Sequence, residues 1–140
     1  MCDIERVFGG AEMTAQEKYL TTVQCMRLVS ANYHLIKRKS AKGGEPLAAR
    51  RKLRALEKWL EAIESAHAGL KRKAGKSVAR VRKDQLVARV IEMMVFEQAG
   101  KERMRQNMGC RPVTGRYVDG LMEEGIQAVM EAAQRKGLLG

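Results

Sequence analysis

Residues 86–99 read LVARVIEMMVFEQA, the most apolar run of the chain, with heavily charged sequence on both sides. At about 100° per residue, Leu86, Val87, Val90, Ile91, Met93, Met94 and Val95 cover an arc of roughly 200°, wider than the stripe of a surface helix. The polar remainder is narrow: Gln85, Arg89 and Glu92. The run is long and shows no two-residue alternation, so it predicts a helix buried around most of its circumference rather than a strand. A rod of that kind must be wrapped by others. Only two prolines and an abundance of Ala, Leu, Met, Glu, Lys and Arg agree. The expected fold class is all-α: a single compact, bundle-like domain of about four helices covering 1–140, with the third helix at its centre.

Working outward, residues 46–73 carry the cleanest periodicity. Leu53, Leu56, Leu60, Ile63, His67 and Leu70 fall at alternating spacings of three and four, an a/d seam. Pro46 suits a first helical turn. The first reading is an antiparallel hairpin with the preceding helix, and the second is a homodimer seam. The preceding helix is expected over 14–38, after a lead-in at 1–13 broken by Gly9-Gly10. Thr14 with Glu17 matches a capping box, and Tyr19, Val23, Met26, Val29 or Ser30, Tyr33 and Ile36 form the stripe. Lys42-Gly43-Gly44 is the expected turn. Arg54 with Glu57 and Lys58 with Glu61 are candidate i,i+3 pairs on helix two. The central helix is expected over 84–107, capped by Ser77 or Asp84, with Glu97 and Lys101 as an i,i+4 pair. The last helix is expected over 115–136, capped by Thr114 and stopped by Gly137. Gly120 and Gly125 inside it each cost about 1 kcal/mol relative to Ala, which either close approach of another helix or a joint between two short helices would explain.

The charge balance is 27 Lys plus Arg against 16 Asp plus Glu, a net +11. The cations cluster: Lys37, Arg38, Lys39 and Lys42; then Arg50, Arg51, Lys52 and Arg54; then Lys71, Arg72, Lys73, Lys76, Arg80, Arg82 and Lys83, with no acid between 71 and 83. Segments so charged cannot be buried, and polyanions are their natural partners. If six to ten phosphates were engaged, affinity would fall by about 10³ to 10⁵ between 50 and 200 mM salt. Few aromatic residues are free for base stacking, so phosphates rather than bases are the expected contact.

Other chemistry is poorly represented. Cys2, Cys25 and Cys110 are an odd number at wide spacing, which argues against a disulfide framework and for a reducing, cytoplasmic setting. The first residues carry Asp3 and Glu5 and no apolar signal region, and no run is long enough to span a membrane. No metal-ligand spacing joins His34 and His67 to the cysteines; His34 reads as a surface residue and His67 as a satisfied residue at the core edge. No nucleophile elbow or Walker loop appears. Gly115, Gly120 and Gly125 rotate by about 140° per step, so they share no face and cradle no phosphate. Glu92 stands alone in the apolar helix beside Arg89; an ion pair is the expected role, a tuned general base the sharper one. No catalytic residue, metal or cofactor is expected. Residues 103–118 partly fit a helix-turn-helix template, with Arg105 where a small residue is usual and Gly115 where an apolar one is.

The expected function is non-enzymatic: a regulatory protein that binds DNA or RNA through phosphates. The alternative is a small inhibitor or adaptor that docks its basic face into an acidic or nucleic-acid-binding groove of a larger machine, an anti-restriction or anti-CRISPR-like role. Membrane binding is not expected, because no helix has the aromatic-rich apolar face it needs.

Overall fold

A computed structural model describes residues 13–39, 47–109 and 111–140. The described residues form six α-helices and one π-helical turn, without strands, packed as one unit. They are α1 (Ala15–Ala31), α2 (Tyr33–Lys39), α3 (Leu47–Lys71), α4 (Val78–Ile91), the π turn (Glu92–Phe96), α5 (Lys101–Asn107) and α6 (Gly115–Arg135). The expectation of about four helices is corrected to six, because two of the expected rods are broken.

The first break is at Asn32. Its side-chain amide donates to the Leu28 carbonyl at 2.8 Å, and its own N–H is shared between Leu28 and Val29. An Asn that bonds the preceding turn competes with helix continuation, and α2 starts again one residue later. The second break ends the central rod. The Glu97 N–H reaches back to the Glu92 carbonyl at 2.9 Å, a wide five-residue turn, and Gln98 then adopts φ 51°. Gly100 caps α5. The expected helix over 84–107 is therefore α4, the π turn and α5, and it starts earlier: Ser77 is the cap, accepting from the Arg80 N–H.

Burial around the whole rod is explained by two cores. Ile91 and Val95 belong to the larger one, with Met26, Val29, Leu56, Trp59, Ile63 and Val129. Val87, Val90 and Met93 belong to the smaller one, with Met104, Met108, Val118 and Leu121. The segment thus separates two apolar clusters. The α3 seam of Leu53, Leu56, Leu60 and Ile63 is buried in the larger core by the chain's own helices. α1 and α3 do pack together, but the Lys42-Gly43-Gly44 turn of the expected hairpin lies outside the described residues, as do Pro46 and all of the 1–13 lead-in except Met13. Lys37, at the end of α2, pairs with Glu64 well inside α3.

Several local expectations are met. Thr14 and Glu17 form the capping box, and Thr114 caps α6 by accepting from the Tyr117 N–H. α6 ends in a Schellman motif: Gly137 adopts φ 76°, its N–H bonds the Gln134 carbonyl and the Leu138 N–H bonds the Ala133 carbonyl. A Cβ on Gly125 would lie 3.2 Å from Ile91 Cγ1, so the close helix approach exists there; Gly120 meets nothing within 4 Å.

Candidate polyanion-binding surface

The long outer face of α3 and the corner leading into α4 hold most of the sequence-selected cations. The structure divides them into two groups. Lys71, Lys76, Arg80 and Lys83 are engaged by the chain's own carboxylates. Lys76 is the clearest case: its ammonium lies 2.7 Å from Asp84 and donates to the Gly69 and Leu70 carbonyls at 3.2 and 3.4 Å. It closes the C-terminal end of α3, where a cation is favoured by the helix dipole. Arg80 lies 2.9 Å from Asp84 and 3.6 Å from Glu124, Lys83 3.0 Å from Glu124, and Lys71 3.4 Å from Glu92. These residues build the α3–α4–α6 junction. The 71–83 segment is thus not a uniformly free basic loop. Its second half is helical, and Asp84 is buried at 3% exposure as the counter-ion rather than standing as a cap.

Arg51, Lys52, Arg54, Arg72, Lys73 and Arg82 form the second group. All are exposed, and none has an ion pair among the described residues. Arg38 is exposed at the end of α2, whereas Lys37 pairs with Glu64 at 3.2 Å and lies 5.8 Å from the Tyr33 ring centre. The side chains of Lys39 and Arg50, and all of Lys42, lie outside the described residues. The expected pairs Arg54–Glu57 and Lys58–Glu61 are not made, which leaves Lys58 exposed as well. Glu97 pairs with Arg89 and Arg103 instead of Lys101, which reaches Asp119 at 2.9 Å.

The π turn gathers a second polar group that the sequence showed only in part. Glu92 is bonded to His67 Nε2 at 2.6 Å and faces Lys71 and Arg89. Burial pushes its carboxyl up, but the His67 hydrogen bond and the Lys71 charge outweigh this and hold it below its ordinary value. Arg89 bridges Glu92 to Glu97, and the Phe96 ring packs against His67 and Tyr33. The expected Arg89–Glu92 pair is present, inside a larger network whose members are far apart in sequence. His67 lies at the core edge with its partner, and His34 is exposed. Cys25 is half-buried, and burial raises its thiol above the ordinary value. Among the described residues no three His, Cys, Asp or Glu side chains converge on a metal position, and no helix is long and apolar enough to cross a membrane.

The segment tested against a helix-turn-helix contains two helices, but they are joined by residues 108–114, longer than the three or four residues of that motif. Arg105, which stands where that template has a small residue, is engaged by the connection itself. Its Nε donates to the Val113 carbonyl at 2.9 Å and its guanidinium holds Glu102, so it clamps the connection.

On another side, α1 and α6 flank a groove of about 750 Å³ floored by the π turn. Leu20, Val23, Met94, Met122 and Ile126 line it, and Leu20 is 55% exposed. Tyr19 donates to Glu123 at 2.6 Å along its rim. Sequence reading missed this groove because its walls come from opposite ends of the chain. Comparison with protein-family models, curated proteins and solved structures found no match for the chain, and its surfaces are therefore read from their own chemistry.

Proposed function

We propose that the protein is a non-enzymatic nucleic-acid-binding protein that contacts phosphates through the outer face of α3 and the α3–α4 corner. One observation carries the reading: Arg51, Lys52, Arg54, Arg72, Lys73 and Arg82 remain exposed and unpaired, while neighbouring cations are matched to internal acids. Unpaired cations release condensed counterions when they neutralise phosphates; cations already in ion pairs do so much less. With that set engaged, affinity is expected to fall by about 10³ between 50 and 200 mM salt, the low end of the range for such contacts. The test is a mobility shift across salt with Arg51→Glu/Lys52→Glu/Arg54→Glu and Arg72→Glu/Lys73→Glu variants. Flat salt dependence, or variants that bind like the parent, would overturn the reading.

A second reading, a protein-binding adaptor or inhibitor, is favoured by the methionine-lined groove between α1 and α6. Flexible thioether side chains suit the apolar face of a partner helix. Its signature is a stoichiometric complex in native mass spectrometry that Leu20→Asp with Met122→Asp abolishes and the α3 variants leave intact. The opposite pattern supports the nucleic-acid reading.

A further inference from the structure

The groove between α1 and α6 has a chemistry independent of the phosphate-binding face. Its body is apolar: Leu20, Val23 and Met26 from α1, Met94 from the π turn, Met122 and Ile126 from α6. The uncharged polar side chains lining it are already used inside the chain. Ser30 donates to the Met94 carbonyl at 2.9 Å, Gln98 to the Val95 carbonyl at 2.6 Å and Tyr19 to Glu123 at 2.6 Å. A polar molecule entering here gives up its bonds to water and finds few replacements, which costs affinity. An apolar chain has no such bonds to lose, and three methionines have the flexible thioethers to close around it. The volume, about 750 Å³, falls within the range of about 300–1,000 Å³ typical of small-molecule sites.

The charged lining residues set a direction. The Tyr19–Glu123 bond ties the two walls together and places a carboxylate at that end. Arg27 stands about 12 Å further along α1. It is exposed and has no ion pair among the described residues. Asp119, the other acid of the lining, is held by Lys101 at 2.9 Å. The groove therefore offers an apolar body with one unpartnered cation, at the end away from Glu123. A guanidinium takes a carboxylate through two parallel hydrogen bonds. We infer that the groove binds a fatty carboxylic acid, its chain lying over Met94, Met122 and Ile126 and its carboxylate on Arg27.

Isothermal titration calorimetry below micelle formation would compare octanoate, dodecanoate and hexadecanoate, with dodecyltrimethylammonium as the cationic arm. Each fully buried methylene is worth about fourfold in affinity. In a groove open on one side, dodecanoate is expected to bind at least about tenfold more tightly than octanoate. An exposed ion pair contributes modestly, so Arg27→Gln is expected to weaken dodecanoate about threefold. Arg135→Gln removes the same charge from the far end of α6 and is expected to bind like the parent. Leu20 is 55% exposed, so Leu20→Asp spares the core, and it is expected to abolish binding; circular dichroism checks that it folds. Chain-length dependence together with losses specific to Arg27→Gln and Leu20→Asp supports the inference. Equal weakening by Arg27→Gln and Arg135→Gln, or dodecyltrimethylammonium binding as tightly as dodecanoate, overturns it. Absence of binding by every chain also overturns it, and leaves the groove to a partner helix. None of these outcomes bears on phosphate binding by α3.

Discussion

Asp84 shows how one side chain converts a basic sequence into a folded corner. Its carboxylate is buried between Lys76, which caps α3, and Arg80, one turn earlier in α4. The Arg80 contact is an ion pair at an angle that makes no hydrogen bond, so Oδ1 has a charge beside it but no donor. Removing one member of a buried pair costs about 3–5 kcal/mol when the other stays buried. Here Arg80 is half exposed and can turn to water, so Asp84→Ala is expected to cost about 2 kcal/mol. Chemical denaturation followed by Trp59, the sole tryptophan and a core residue, measures it. A loss below a few tenths would show that Lys76 caps α3 without help. Glu92 makes a pH prediction. Its folded value lies below the ordinary 4.5, so it binds its proton less readily folded than unfolded. Its contribution is therefore complete above that ordinary value and lost as pH falls through the lower folded one. Glu92→Gln is expected to flatten stability against pH in that acidic window and to lower it by a constant amount at neutral and alkaline pH, where the carboxylate's contribution is complete. A variant curve parallel to the parent's throughout would remove the role assigned to the His67 and Lys71 contacts.

At the scale of elements, legibility followed periodicity and caps. α3 and α6 were expected over 46–73 and 115–136 and are found as Leu47–Lys71 and Gly115–Arg135. Each has one apolar face, and the Thr114 cap and the Gly137 stop are local chemistry. The central rod was harder. Its burial was readable, but no Gly or Pro interrupts 86–99, so nothing local announces the π turn; only packing against two cores requires it. The candidate surface was half legible for a similar reason. Clustering revealed the cations, but of their neutralising acids only Asp84, which holds Lys76 and Arg80, lies close in sequence; the others are far along the chain: Glu124 for Lys83, Glu92 for Lys71, Glu64 for Lys37. The glycines of α6 provide a paired test. Gly120 is exposed with open space at its Cβ position, so Gly120→Ala is expected to stabilise by about 0.5–1 kcal/mol through helix propensity. Gly125 faces the fully buried Ile91, which has no room to recoil. Gly125→Ala is expected to lose that gain, and Gly125→Leu to destabilise by roughly 1–3 kcal/mol through overpacking. Equal thermal shifts for the two alanine variants would show that α6 does not press on α4 at Gly125.

For the whole molecule, the surplus charge and the packed core oppose each other. A net +11 on one small unit repels itself, and internal ion pairs relieve that repulsion only where an acid lies within reach. Arg51, Lys52 and Arg54 make no such pair, so they destabilise the free protein slightly and stabilise its complex with a polyanion. This yields a prediction that needs no particular nucleic-acid sequence. A polyanion that binds only the folded chain stabilises it by about 2.7 kcal/mol at a hundred times its dissociation constant. For a domain of this size, that is a rise in Tm of about 8 °C. Inorganic polyphosphate at low salt is expected to produce it, and added salt to erase it by screening. Arg51→Glu/Lys52→Glu/Arg54→Glu is expected to melt slightly higher than the parent without polyanion and to lose most of the shift with it. Differential scanning fluorimetry on the two proteins, with and without polyphosphate, reads both signs at once. If the variant melts lower alone and shifts as far as the parent, the cations of α3 serve the fold rather than a ligand, and the phosphate-binding face has to be sought elsewhere on the molecule.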